Sequence, residues 1–206
     1  MKKDNPIKVY WTPAMFDDSE EQWNILYSEP LPVADNFYSN LNEDAEIVKC
    51  PVTRNSMKNL YSLNSLIKDE FDLDAEVMKT VYEDRGHESY AIPFGSKINI
   101  MRDRRSSYKN YVNFSYGMGW MFFCEEPLVA RIGPPTFPVT MPTPDSILAF
   151  GEFDIGQWFR PFMLDYHIPV DAKTFSIKKN QPLAFVDFKT DRKIEFVRFK
   201  NTRYLT

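Results

Sequence analysis

This sequence has few cysteines, glycines and histidines, and the shortage of cysteine and histidine limits the disulfides and metal sites that it can form. Its 206 residues include two cysteines, seven glycines and two histidines. Cys50 and Cys124 have no metal-ligand spacing and lie beside apolar residues, which predicts two reduced thiols in place of a disulfide. With only two histidines, one chain cannot supply a zinc site that has three histidine ligands.

Motifs that would place the chain in a known catalytic class are also missing. The sequence contains no Gly-x-Ser-x-Gly, no P-loop and no Gly-x-Gly-x-x-Gly dinucleotide motif. The expectation is therefore a protein without a cofactor, and a function other than catalysis is favoured.

Charge and hydropathy argue against two kinds of partner. The formal net charge is −4, and both nucleic acid and anionic membranes attract proteins with a positive field. The N-terminus leads into no apolar signal segment, and the longest apolar stretch, 117–124, is too short to span a bilayer. We expect a soluble, non-secreted protein that binds no membrane and is a poor ligand for nucleic acid.

Aromatic residues and prolines are plentiful, and they indicate strands. Aromatics make up 16% of the chain, and fifteen residues are proline. Aromatic and β-branched residues favour the pleated surface of a sheet, while prolines interrupt it. Short apolar or alternating segments recur after residue 97, and the predicted strands are 97–101, 111–116, 121–124, 128–132, 147–153, 162–167, 175–177, 183–188 and 194–199.

Eight or more short strands predict a mainly β fold, an antiparallel β-sandwich or jelly-roll-like structure in a single domain, 1–206. The sandwich core is assigned to 97–206. The Pro-rich stretch 133–144 is expected to connect two sheets or to run around an edge, and 189–193 reads as a hairpin turn.

The N-terminal half, 1–96, is expected to be irregular, with one or two short helices. Segment 8–11 reads as a strand. A helix start is predicted near Asp17, although Trp23, Ile25 and Tyr27 alternate and also fit a strand. Segment 46–50 reads as a strand, 58–63 fits either a helix or a strand, and a short helix is predicted around 75–81.

Trp158, Phe159 and Arg160 form the most unusual local sequence, between a glycine and a proline. Tryptophan and arginine dominate the energetics of protein interfaces, which makes these residues a candidate binding surface. The alternative is a core plug in which Arg160 stacks on an aromatic face. The sequence leaves both open.

One candidate metal set is available. Asp165 and His167 are two residues apart on a predicted strand and so share a face. Together with His87 they have the composition of a non-haem iron facial triad. The order along the chain is reversed from the oxygenase pattern, in which His-x-Asp precedes the distal histidine. Because the composition of the triad fits in spite of this order, the alternative function is a jelly-roll oxygenase that uses iron and 2-oxoglutarate.

Two further groups are better explained without chemistry. Glu152 and Asp154 share a strand face and could split their pKa values for acid–base work, but alternating acids usually mark a solvated face. A basic run interleaved with tyrosines could bind single-stranded nucleic acid, but a charged loop is favoured in an acidic protein. The run comprises Arg102, Arg104, Arg105 and Lys109.

The longest distinctive segment is 151–161, Gly-Glu-Phe-Asp-Ile-Gly-Gln-Trp-Phe-Arg-Pro. With 182–188, 194–196, 10–13 (Tyr-Trp-Thr-Pro) and 49–51 (Lys-Cys-Pro), it resembles uncharacterised proteins of marine tailed phages, especially cyanophage myoviruses. The resemblance spans most of the chain and implies a phage origin without a mechanism. The expected function is a non-enzymatic virion component or host-directed binding protein, located in the host cytoplasm or the virion. Its expected partner is a protein: a second copy of this chain, a virion protein or a host protein.

Overall fold

The structure is a computed structural model that describes residues 5–14, 27–39, 50–66, 68–72, 89–91, 99–101, 108–135 and 141–199. Its strands in chain order are β1 Ile7–Pro13, β2 Leu31–Pro32, β3 Leu60–Asn64, β4 Asp69–Asp72, β5 Ser89–Ala91, β6 Asn99–Met101, β7 Tyr111–Phe123, β8 Val129–Gly133, β9 Ile147–Leu148, β10 Gly151–Asp154, β11 Pro161–Pro169, β12 Thr174–Ile177, β13 Pro182–Phe188 and β14 Ile194–Arg198. The helices of this part of the chain are α1 Val33–Ser39 and α2 Pro51–Ser56. The predicted mainly β fold with one or two short helices in the N-terminal half is confirmed, and the helices described are two.

Two large sheets form a β-sandwich. Sheet A has the order β14-β1-β7-β11-β9, with β6 and β5 added beside β7, and sheet B has the order β10-β8-β13-β3-β2. Strands β12 and β4 form a separate two-stranded sheet. The pairings are antiparallel apart from β1 with β14, which run parallel with Ile7 opposite Ile194.

The N-terminal half contributes to the centre of both sheets. Strand β1 lies between β14 and β7, and β3 lies between β13 and β2. The expectation of an irregular first half beside a sandwich built from 97–206 is wrong in this respect. Strand β3 also resolves the ambiguous segment 58–63, where Tyr61 and Leu63 alternate into the core.

Aromatic side chains fill the space between the sheets. Strand β11 alternates strictly, with Phe162, Leu164, Tyr166 and Ile168 buried, as a half-buried strand requires. Tyr166 crosses the core, where its hydroxyl donates a hydrogen bond to the Leu183 carbonyl of sheet B at 3.2 Å.

Phe122 of sheet A also links the sheets through ring contacts. Its centroid lies 5.4 Å from that of Phe162 and 5.7 Å from that of Phe188 on β13. Such ring pairs add a specific geometry to the burial of apolar area, which is the main driving force for folding.

Three predictions about connections have definite outcomes. The Pro-rich stretch does connect two sheets, since β8 belongs to sheet B and β9 to sheet A. The single strand predicted over 147–153 is wrong, because β9 and β10 lie in different sheets. The hairpin at 189–193 is also wrong: β13 and β14 do not pair, and the turn carries the chain from sheet B to sheet A.

Several predictions about the first half fall outside the described residues. These are the helix near Asp17, the helix around 75–81 and the strand over 46–49. Cys50, the last residue of that predicted strand, directly precedes α2, which begins with Pro51 in its first turn. Proline is well tolerated there because its missing N–H would have no helical partner.

Both cysteines are free, as predicted, with Cys124 buried and Cys50 partly exposed. Within the described ranges, neither helix has the length and apolar character needed to cross a bilayer.

Candidate functional site

The segment that carries Trp158, Phe159 and Arg160 is held by the carboxylate of Asp154. Oδ1 accepts hydrogen bonds from the backbone N–H groups of Leu128 at 3.0 Å and of Gly156 at 2.9 Å. Oδ2 accepts one from the Gln157 side chain at 2.9 Å. The Asp154 carbonyl also accepts from the Trp158 N–H at 2.9 Å. An aspartate that bonds to the backbone just beyond it is a common way to fix a turn.

Gly156 brings this turn, residues 155–160, against the loop that follows β7. A Cβ atom at position 156 would lie 2.4 Å from the Glu126 carbonyl oxygen, so only glycine fits without displacing backbone. Ile155, which is fully buried, exchanges backbone hydrogen bonds with this loop through the Leu128 carbonyl and the Cys124 N–H. The 155–160 turn is therefore fixed to the body of the protein.

The three candidate residues lie at the surface. Trp158 is 53% exposed and Phe159 is 36% exposed, and Arg160 is exposed as well. The alternative of a core plug is thus wrong, although its stacking component is present: the Arg160 guanidinium carbon lies 4.9 Å from the centroid of the Trp158 ring. Beneath Trp158, the ring of Phe153 makes an edge contact at 6.2 Å.

Phe159 also forms one wall of a cavity of about 420 Å³. In the described part of the chain, its lining also includes three other aromatic side chains and one carboxylate, and we call it the aromatic pocket: Tyr10, Phe123, Glu125, Phe159 and Phe199. Strands β14, β1 and β7 are neighbours in sheet A, so residues on their outer face and just beyond their ends meet at this place.

Strand register explains why these side chains converge. Tyr10 lies between Val9 and Trp11, which are buried in the core, so its own side chain points to the outer face of sheet A. Phe123 lies directly opposite Tyr10 in the β1–β7 ladder. Phe199 follows β14, where its N–H donates to the Trp11 carbonyl at 3.0 Å.

Glu125 gives the aromatic pocket a negative edge. Its Oε1 accepts a hydrogen bond from the Tyr10 hydroxyl at 2.9 Å. This hydrogen bond is the main reason why the pKa of Tyr10 is raised, and the charge of Glu195 adds to it. Within the described part of the chain, Glu125 takes part in no ion pair.

The 155–160 turn is recognisable in the sequence, whereas most residues of the aromatic pocket are not. The segment 155–160 stood out by composition, whereas Tyr10, Phe123 and Phe199 look like ordinary strand aromatics. The one local signal is alternation, which places Tyr10 and Phe123 on the face opposite the core. It cannot show that the two faces belong to adjacent strands.

Two of the three residues of the predicted metal set, Asp165 and His167, lie in the described ranges. Asp165 and His167 share the outer face of β11, as predicted, while the residues alternating with them fill the core. His87 lies outside the described residues, so the triad stays a prediction. Partial burial lowers the pKa of His167, and the charge of Asp165 opposes this. In the described ranges, no three His, Cys, Asp or Glu side chains form a metal-binding group.

The paired carboxylates have separate partners. Glu152 is exposed and lies 3.9 Å from the Arg131 side chain, whereas Asp154 fixes the turn. This arrangement favours the interpretation as strand-face residues over an acid–base pair.

Most of the basic run lies outside the described residues, which include only Lys109 of its four members. Next to it, the ring of Tyr108 makes an edge contact with His167 at 4.8 Å.

A second cavity, of about 360 Å³, is mixed in character. It lies over sheet B, where Arg131 and Asp187 form an ion pair at 3.2 Å beside the exposed ring of Phe150. Arg131 and Asp187 are paired with each other, whereas Glu125 has no ion-pair partner among the described residues.

No family model matches the sequence, and no curated protein matches it either. A function can therefore be inferred only from the geometry of the 155–160 turn and of the aromatic pocket.

Proposed function

We propose that this chain is a non-enzymatic binding protein of a phage, a virion component or a host-directed module, and that it contacts a protein partner through Trp158, Phe159 and Arg160. The observation that supports this most is the exposure of a tryptophan, a phenylalanine and an arginine on a turn fixed by Asp154 and Gly156. The phage origin is supported only by the resemblance of the sequence.

Rigidity is what makes this surface suited to binding. Association is opposed by the ordering of loops and side chains, so a surface that is already ordered loses less free energy on binding. Large aromatic side chains and arginine contribute most to hot spots. The stacking of Arg160 on Trp158 presents both groups together, next to an apolar cavity that could accept a partner side chain.

The test compares Trp158→Ser with a matched control, Phe150→Ser. Phe150 is an exposed aromatic, at 74%, that lines the other cavity. Immobilised wild-type protein and both variants are used to capture proteins from virions and from infected cells. A candidate partner is identified by mass spectrometry, purified, and its Kd measured against each variant.

We expect a partner whose affinity falls roughly thirtyfold with Trp158→Ser, as for a hot spot of about 2 kcal/mol, and changes little with Phe150→Ser. Circular dichroism should show that both variants are folded, because each side chain is more than half exposed. If every captured protein binds Trp158→Ser as tightly as wild type, the proposed surface is wrong.

A further inference from the structure

The aromatic pocket combines aromatic walls with a carboxylate. Among the described residues, four aromatic side chains line it, and the charged group at its lining is the carboxylate of Glu125. A pocket for a neutral apolar group would gain nothing from that carboxylate, because a charge near an apolar surface has to be desolvated when a ligand covers it.

The rings form walls at steep angles. The Phe123 and Phe159 centroids are 6.3 Å apart with their planes at 83°. Tyr10 extends one wall, 6.0 Å from Phe123, and Phe199 extends the other, 6.2 Å from Phe159. The cavity is therefore lined by aromatic rings in more than one orientation.

Ring faces and carboxylate attract the same kind of ligand. The face of an aromatic ring is the negative side of its quadrupole and attracts cations within about 6 Å of the centroid. Glu125 adds a full negative charge. The Tyr10 hydroxyl donates a hydrogen bond to Glu125, and the raised pKa keeps Tyr10 a neutral phenol that orients the carboxylate.

Two cations among the described residues of these segments do not line the pocket. Arg160 stacks on Trp158, which does not line the pocket, and Lys8 lies opposite Glu195 in the β1–β14 ladder. A cavity of about 420 Å³ is within the size range of small-ligand sites. It has room for an ammonium group with several carbon substituents and for part of the chain that carries it.

We propose that the aromatic pocket binds an organic ammonium group, of the kind presented by a methylated lysine side chain of the protein partner. The assignment of the cation to a lysine of the protein partner rests on the proposed function, whereas the ammonium site itself is argued from the pocket alone. An N-methylated ammonium fits better than a primary one because it is more weakly hydrated and loses less on entering aromatic walls.

The first experiment separates charge from shape. Choline and its neutral isostere 3,3-dimethylbutan-1-ol are titrated into the full chain, and Kd values are obtained from two-dimensional NMR. We expect choline to bind roughly fivefold or more tightly than the alcohol, since one or two cation–π contacts and a carboxylate favour only the cation. Equal or tighter binding of the alcohol, or no binding of choline at millimolar concentration, overturns the proposal.

Variants then assign the effect to the pocket. Glu125→Gln and Phe159→Leu should each weaken choline binding roughly three- to tenfold and change binding of the alcohol less than twofold. Phe150→Leu, at the other cavity, should leave both unchanged. Loss of choline binding in Phe150→Leu, or its retention in Glu125→Gln and Phe159→Leu together, overturns the assignment.

A last comparison identifies the source of the cation. Amides of N-acetyl-trimethyllysine and N-acetyl-lysine are titrated in the same way, and the trimethylated form should bind more tightly than the lysine form and at least as tightly as choline. Choline binding without a Trp158-dependent partner would refute the proposed function and leave the cation site standing. A Trp158-dependent partner found without choline binding would refute the cation site and leave the proposed function standing.

Discussion

Gly156 lies where the 155–160 turn comes closest to the loop after β7. In Gly156→Ala the new Cβ would be placed 2.4 Å from the Glu126 carbonyl oxygen and 2.8 Å from its carbon. Both atoms belong to backbone, so they cannot rotate away as a side chain would. We expect the free energy of unfolding, measured in urea, to fall by roughly 1–3 kcal/mol, as for other overpacked sites.

Gly151→Ala is the matched control for this prediction. No atom lies within 4 Å of a Cβ built at position 151, so the change should stay within about 0.5 kcal/mol. A Gly156→Ala protein as stable as Gly151→Ala would mean that the turn is not held against the loop. The fixed presentation of Trp158 would then lose its main support.

At the scale of elements, the turn between β13 and β14 is held by a residue far away in sequence. The Asn59 side chain donates hydrogen bonds to the carbonyls of Thr190 at 2.7 Å and Arg192 at 2.9 Å. Asn59 has a φ of 58°, a left-handed conformation that asparagine tolerates better than most residues. This contact guides the chain from sheet B to sheet A, where a hairpin would have kept it in one sheet.

Two substitutions at Asn59 distinguish the contribution of its hydrogen bonds to stability from that of its backbone conformation. Asn59→Gly loses both hydrogen bonds, each worth about 1 kcal/mol net. Asn59→Ala loses them too and adds the left-handed penalty of roughly 1–2 kcal/mol. Chemical denaturation should therefore rank stability as wild type, then Asn59→Gly, then Asn59→Ala. An alanine variant more stable than the glycine variant would contradict this explanation.

At the scale of the whole molecule, the two thiols report on different parts of the fold. Cys124 is 1% exposed in the core, and burial raises the pKa of its thiol. Cys50 is partly exposed, and hydrogen bonds from Thr53 lower its pKa. Since the thiolate is the reactive form, a disulfide reagent should modify Cys50 rapidly in the native protein and Cys124 only on unfolding.

Thiol titration without reductant measures this directly. One fast thiol per chain is expected in native buffer and two in denaturant, and Cys50→Ser should abolish the fast reaction alone. Native Cys124 reacting as fast as Cys50 would show that the core opens locally around the end of β7. Fewer than two thiols in denaturant would contradict the free state of the cysteines.

Much of the strand content could be predicted because alternation is a local property. On β11 the residues that point inward are alternate ones, so the sequence alone identifies the strand and its buried face. The turn with Trp158, Phe159 and Arg160 was also recognisable by composition. Whether that turn was core or surface depended on its contacts with Glu126 and Leu128, which no local pattern contains.

What the sequence by itself determined is therefore the class of fold, the free cysteines and which face of each strong strand is apolar. The tertiary structure alone decided which strands are neighbours: β1 lies between β14 and β7, and the chain changes sheets at 149–150 and at 189–193. A period of two identifies a face without identifying a partner strand. Tyr10, Phe123 and Phe199 could form one pocket only after the pairing of β1 with β7 and β14 had brought distant parts of the chain together.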